Sequence, residues 1–274
     1  MRLLIAATVA VAAVSVAAAQ TRPAQKTPAP RRPTTPAPAP RAVPRTQAAV
    51  PFPVGETLTY DVSWSQFVTA GTAVARVVEK RSSYGSTAYY VVADGRPIPL
   101  VARFYPVYYK MDSLVDSFDL LSHWTSQYSE ERGKKRETSM RFDRGARRAF
   151  YEAQVDPAFK EDFEVPPDTQ DGLATLYSIR GRIFKAGERF TIPVADDGTM
   201  YSVEFETSGP EHVYVPFGAV DAWHLKITVL DPEKQPAARN TSAWISTDTR
   251  RLPVKLQSDL PIGSFVLALR ERQP

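Results

Sequence analysis

Cysteine is absent from the 274 residues, which excludes both a disulfide and a lipid-modified cysteine anchor and leaves the core alone to hold the fold. Histidine, the usual acid, base and metal ligand near neutral pH, occurs at only His123, His212 and His224. None stands in a recognisable arrangement, and His123 beside Trp124 and His224 beside Trp223 read as strand residues. The patterns His-Glu-x-x-His, Gly-x-Ser-x-Gly and the glycine-lysine phosphate loop are missing, so the common zinc, serine-hydrolase and nucleotide sites are not expected. No catalytic residue, cofactor or metal ligand is assigned from the sequence.

Acidic residues are missing from one part of the chain. Residues 20–53 contain ten prolines, no aspartate or glutamate, and the six bases Arg22, Lys26, Arg31, Arg32, Arg41 and Arg45. Such a segment cannot bury a core and is expected to be an extended, disordered leader. It reads either as a spacer or as an arm drawn to an anionic surface such as envelope polymer or lipid head groups. Once the leader and Arg2 are set aside, 27 bases face 30 acids, a net of −3 for the remainder. Nucleic-acid binders concentrate bases on the folded face that grips, so that role is not expected.

Ahead of the leader, Arg2 precedes a run of mostly alanine, valine and leucine that closes with Ala17-Ala18-Ala19. Positive start, short apolar stretch and small-residue end predict a signal peptide over 1–19. The stretch is shorter than the roughly 20 residues a bilayer span needs. Export to the periplasm or cell envelope is therefore expected, with no integral membrane anchor after cleavage.

From residue 54 to 274 the texture becomes short alternating runs broken by glycine, proline and aspartate. Leu58, Tyr60, Val62 and Trp64 alternate with polar residues, the pattern of a half-buried antiparallel strand. Fourteen strands are predicted, at 57–64 and about 71–80, 87–95, 107–115, 122–132, 136–143, 146–153, 188–195, 199–208, 211–216, 220–230, 240–247, 252–258 and 264–271. One amphipathic helix is predicted at about 169–184, capped by Asp168, with the stripe Leu173, Leu176, Tyr177, Ile183 and Phe184. Residues 98–105 read either as a shorter helix or, equally, as strand. The class is mainly β: a single domain with a curved antiparallel sheet, open barrel or sandwich, and one amphipathic helix packed against it. Gly55-Glu56-Thr57-Leu58-Thr59 and Gly187-Glu188-Arg189-Phe190-Thr191 each open a strand set and read as one turn chemistry used twice.

Two groups of residues stand out. Arg180 lies on or beside the helical stripe, where a guanidinium wants a carboxylate, with Asp116, Asp143 or Asp248 as the expected partner; the alternative is that it anchors a ligand. The aromatics Tyr89, Tyr90, Phe104, Tyr105, Tyr108 and Tyr109 either fill the core or surround the mouth of an apolar cavity between sheet and helix, with Trp64 or Trp124 in its wall. Tyr89, Phe104, Tyr105, Tyr108, Trp64 and Trp124 are the residues selected for that cavity. The carboxylate pair Asp196-Asp197 precedes Gly198 and fits a hairpin turn, and Asp248-Thr249-Arg250-Arg251 fits another turn between two strands.

Gly55-Glu56 with Leu58 and Tyr60, then Gly71 and Ala73, Val115-Asp116, Phe142-Asp143, Gln170-Asp171 with Tyr177 and Arg180, and the run from Trp244 to Val254 together form a familiar set. The chain resembles the exported bacterial family known as domain-of-unknown-function family 3108, over about residues 52–270. The resemblance implies a bacterial envelope origin and no particular activity. Its general look is similar to periplasmic lipid and lipoprotein carriers. A lipid-like or amphipathic ligand is the expected partner; the alternative is a structural or assembly factor that binds another envelope protein or polymer. A carboxylate hydrolase is the remaining, less favoured, expectation.

Overall fold

The computed structural model describes residues 45–65, 67–154, 158–260 and 263–274. The expected signal segment and residues 20–44 of the leader lie outside them. The described chain is one antiparallel sheet of fourteen strands with two short helices. In chain order these are β1 (Thr57–Trp64), β2 (Phe67–Ser83), β3 (Ser86–Pro97), α1 (Pro99–Ala102), β4 (Val107–Asp116), β5 (Ser122–Glu131), β6 (Lys134–Asp143), β7 (Arg148–Gln154), β8 (Phe159–Glu164), α2 (Gly172–Arg180), β9 (Arg189–Asp196), β10 (Thr199–Val215), β11 (Gly218–Leu230), β12 (Arg239–Ser246), β13 (Pro253–Leu260) and β14 (Gly263–Gln273).

The strands follow one another as neighbours from β8 back to β1, then β14 back to β9. The two halves meet where β1 pairs with β14, and β8 and β9 are left as edges. Strand twist curls a sheet of this width. The curl brings Ala195 of β9 into one apolar cluster with Met140, Phe142, Ala149 and Tyr151 of β6 and β7, and among the described residues no hydrogen-bonded ladder joins β8 to β9. The result is a barrel that does not close.

The predicted and observed strand numbers agree only because two differences offset each other. Gly209-Pro210 reads as a break, yet β10 runs through it with a register shift between Thr207 and Gly209. A bulge absorbs the glycine and proline without ending the strand. Conversely β8 carries Lys160, Glu161, Asp162 and Glu164, almost wholly exposed, and reads as a loop. Charge on an edge strand blocks pairing with another sheet, which is why it lacks the alternation that marks inner strands.

The repeated Gly-Glu pentapeptides form the same structure. Gly55 donates to the Val77 carbonyl at 2.7 Å and Val77 returns a bond to the Glu56 carbonyl at 2.9 Å; Gly187 donates to Thr207 at 2.8 Å and Thr207 returns to Glu188 at 2.9 Å. Both glycines have positive φ, 97° and 77°, where a side chain would strain the backbone. In each case the partner strand shifts register immediately afterwards, between Val77 and Glu79 and between Thr207 and Gly209.

Helix α2 is shorter than predicted, and its cap is Asp171 and not Asp168. The Asp171 Oδ1 accepts from the amides of Leu173 and Ala174, both at 2.9 Å, satisfying two otherwise unpaired donors. Its second oxygen accepts from Ser113 and Ser122, which pins the helix start to β4 and β5. Leu173 and Tyr177 of the predicted stripe are buried; Ile183 lies beyond the helix and is 79% exposed. Helix α1 falls inside its predicted span.

Residues 47–53, which the sequence places in the leader, already pack on the sheet. Ala48 donates to the Ser117 carbonyl at 2.8 Å, and Phe52 is 3% exposed, packed edge-on against Tyr89 and Tyr177. Proline content masks this strap in the sequence, because apolar contacts are made by three alternate residues, Ala48, Val50 and Phe52.

β2 and β3 approach so closely at Gly71 that a Cβ there would stand 2.7 Å from the Arg96 carbonyl oxygen. Gly71→Ala is expected to destabilise the domain by about 1–3 kcal/mol through this overpacking. Urea unfolding measures it; an unchanged midpoint would show that the strands separate there without cost.

Candidate functional site

Helix α2, the strap and the Arg180 cluster occupy one end of the barrel. Towards the other end, near the β1–β2, α1 and β5–β6 connections, the inward side chains leave a cavity of about 320 Å³. Val62, Trp64, Ala73, Tyr109, Met111 and Leu267 line it, and Val101 and Tyr105 approach from the α1 segment. Trp64 stacks on Phe265, with ring centres 6.2 Å apart, and stands 6.4 Å from Tyr105. The space exists because small residues alternate inward at this level: Gly71 and Ala73 on β2 and Gly95 on β3. Larger residues follow deeper on the same faces, where Val77, Tyr89 and Val91 fill the core.

Of the six residues selected from the sequence, Trp64 and Tyr105 line the cavity. Tyr89 does not: it faces inward but closer to the plugged end, against Phe52. Tyr108 lies outside the lining, its ring under the Arg96 guanidinium at 5.5 Å and 6.0 Å from Tyr128, because adjacent strand residues face opposite sides. Phe104 is 80% exposed, and Trp124 is also outside the lining. The cavity lies within the curl of the sheet and not between sheet and helix. Tyr109, one of the aromatics that the sequence offers for a cavity mouth, also lines it; Met111 and Phe265 are not singled out by the sequence, although the inward parity of Met111 follows from the strand pattern once Tyr109 is placed.

One wall is polar. Arg136 Nη2 donates to Asp197 Oδ1 at 2.6 Å and to the Tyr151 hydroxyl at 2.9 Å, and Tyr151 donates to the same Asp197 oxygen at 2.6 Å. Gln127 donates to Asp196 Oδ1, and the Tyr109 hydroxyl to Glu131. Burial pushes the Asp196 carboxyl up to about 7, against the lowering effect of the Gln127 bond. Burial also raises Tyr109, to about 12. The pair Asp196-Asp197 does form a turn with Gly198, yet Asp197 is also part of this wall. A two-carboxylate hydrolysis needs both carboxyls within reach of a substrate. Asp197 lines the cavity, held by Arg136 and Tyr151; Asp196 is buried behind it.

Arg180 pairs with Glu56 and not with Asp116, Asp143 or Asp248. The Nη1–Oε2 distance is 2.6 Å, and both side chains have no solvent exposure. Arg180 also donates to the carbonyls of Arg251 at 3.0 Å and Arg250 at 3.2 Å, while Arg272 takes the other Glu56 oxygen at 3.0 Å. The three expected partners are committed locally: Asp116 accepts from Ser86 and the Phe118 amide, Asp143 from the Ala146 amide, and Asp248 from Arg250 and Ser246. A signal for Glu56 is present in the sequence, since it shares the inward parity of Leu58 and Tyr60. A carboxylate on an apolar face needs a cation.

The three histidines are all on strands: His123 meets Asp116 at 3.0 Å, His212 meets Asp221 at 2.9 Å, and His224 stacks on Trp244. Among the described residues no three His, Cys, Asp or Glu side chains converge as a metal site, and no helix is long and apolar enough to cross a membrane.

Fold and cavity together define an unclosed antiparallel β-barrel with an apolar pocket inside one end. The chain belongs to the protein family of unknown function DUF3108, whose model matches residues 59–270. Among solved structures it is similar to the β-barrel-like protein of domain of unknown function DUF1849 from Brucella abortus, at a TM-score of 0.54 and 10% identity, covering 80% of this chain and 97% of that one. That likeness supports the fold alone. Weaker matches are a "putative lipoprotein" from Parabacteroides distasonis (TM-score 0.34, 9% identity, 83% and 100% covered) and a "putative exported protein with YmcC-like fold" from Bacteroides fragilis (0.33, 10%, 84% and 100%). None of the curated proteins compared with the chain matches it.

Proposed function

We propose that this is an exported cell-envelope protein that binds one apolar or amphipathic, lipid-like molecule in the barrel cavity without chemical turnover. The observation that carries the reading is the cavity itself: about 320 Å³ of mostly apolar space with a few polar groups on one wall, within the range of roughly 300–1,000 Å³ usual for ligand sites. The N-terminal sequence supports export, and the net −3 of the folded part is consistent with an uncharged or amphipathic ligand. Attachment of another envelope protein along the β8 edge is disfavoured, because β8 is short and charged.

Gly95 offers the test. It lines the cavity, its φ is not positive, and a Cβ there would meet nothing nearer than Thr72 O at 3.8 Å. Gly95→Leu is therefore expected to fold normally while its side chain fills the pocket, weakening uptake of a hydrophobic fluorescent probe by about tenfold or more. Native mass spectrometry of the protein purified gently from its envelope is expected to show a co-purifying lipid, absent from Gly95→Leu. A wild-type protein that is empty and takes up no probe would remove the proposal, as would uptake indifferent to Gly95→Leu.

A further inference from the structure

We propose that the rim of the barrel at α1 docks onto the surface of an anionic lipid bilayer. Leu100 and Phe104 are 63% and 80% exposed. They stand four apart on a turn fixed by bonds from Ala102 to the Ile98 carbonyl and from Phe104 and Tyr105 to the Val101 carbonyl. Val101 and Tyr105 face the cavity, so helical geometry turns Leu100 and Phe104 away from it. Two large apolar side chains on a rigid turn are too small for a stable protein interface, which takes roughly 20–30 residues a side. They do suit shallow insertion at the head-group boundary.

Charge selects an anionic bilayer. Arg103 lies between the two apolar residues, and Arg132 packs over the Tyr105 ring at 5.2 Å while its amide bonds to the Pro106 carbonyl at 3.1 Å. Lys134 and Lys135 follow at the start of β6, and all four cations are exposed. The neighbouring acids are Glu130 and Glu131, each accepting a tyrosine hydroxyl, from Tyr128 and Tyr109. This cation excess sits on a folded part that is acidic overall, and each base near an anionic surface contributes about fivefold to binding. Docking of this rim would set the cavity entrance against the membrane. The surface itself stands on exposure and charge, and not on an occupied cavity.

The absence of cysteine makes the test direct. Phe104→Cys in the full mature chain, labelled with an environment-sensitive fluorophore, is expected to brighten and shift blue on adding phosphatidylglycerol vesicles. It should respond far less with phosphatidylcholine or at high salt. The same label at Tyr214→Cys, 79% exposed near the β10–β11 connection at the other end, is expected to stay unchanged. Equal responses at both positions would mean adsorption through the basic leader and would overturn the proposal, as would no response at position 104. Leu100→Ser with Phe104→Ser is expected to reduce vesicle co-sedimentation by about tenfold or more; undiminished binding would also overturn it. Gly95→Leu should dock normally, which separates failure of the surface from failure of the cavity.

Discussion

Arg180→Ala is expected to cost about 3–5 kcal/mol of folding stability, because it leaves the Glu56 carboxylate buried with its main partner gone. The side chain reaches from the last residue of α2 to the start of β1 and to the β12–β13 turn, so its loss also leaves the Arg250 and Arg251 carbonyls without these bonds. It further lies within 5.1 Å of the Phe52 ring and 5.5 Å of Tyr177, contacts that hold the strap over the plugged end. For a domain of this size the loss corresponds to a fall in Tm of roughly 10 °C. Arg272 at 3.0 Å retains part of the attraction to Glu56, so the variant should remain foldable. Arg180→Met combined with Glu56→Gln should lose less than the two single changes added together, since the buried charges leave as a pair. A single variant within about 1 kcal/mol of wild type would show that the cluster does not hold the helix.

Asp196→Asn is expected to act in the opposite direction. The carboxyl is pushed from 3.8 to about 7 by burial, so between those values the folded state keeps a proton that the unfolded chain releases. Stability contributed by this site is thus present below pH 4 and is lost as pH rises through about 7. At pH 8 the penalty approaches about 4 kcal/mol. Asparagine matches the protonated acid in size and keeps an oxygen for the Gln127 amide, so the variant should be more stable than wild type at pH 8 by a sizeable part of that amount and nearly equal to it at pH 4. Urea unfolding of both proteins across this range tests the sign and the window. Parallel pH profiles would show that the carboxyl is solvated and not held behind Asp197.

The two predictions rest on features that differ in how visible they were in the chain. Asp196-Asp197-Gly198 is legible as a hairpin turn, but its local sequence contains nothing about the β6 and β7 side chains on which the turn lands. Arg180 was legible as a cation needing a buried partner. Its carboxylate lies 124 residues away, and three aspartates nearer in chain order fit the sequence equally well; only the fold commits them to other donors. The helix cap shows the same limit: Asp168 and Asp171 both suit a helix N-terminus, and Ser113 and Ser122 from other strands decide for Asp171.

By itself the sequence determined the antiparallel β class, the inward face of β1 through Leu58, Tyr60, Val62 and Trp64, the existence of one amphipathic helix and the doubled Gly-Glu turn. These are properties of periodicity and backbone conformation, written within five to ten neighbouring residues. Only the tertiary structure decided which inward faces meet, that small residues at one level leave a cavity while larger ones fill the other end, and that Glu56 closes the Arg180 cluster. The physical reason is the curl of the sheet. Alternation fixes the face on which a side chain lies, but the partner it meets across the barrel depends on the accumulated twist and register of all fourteen strands.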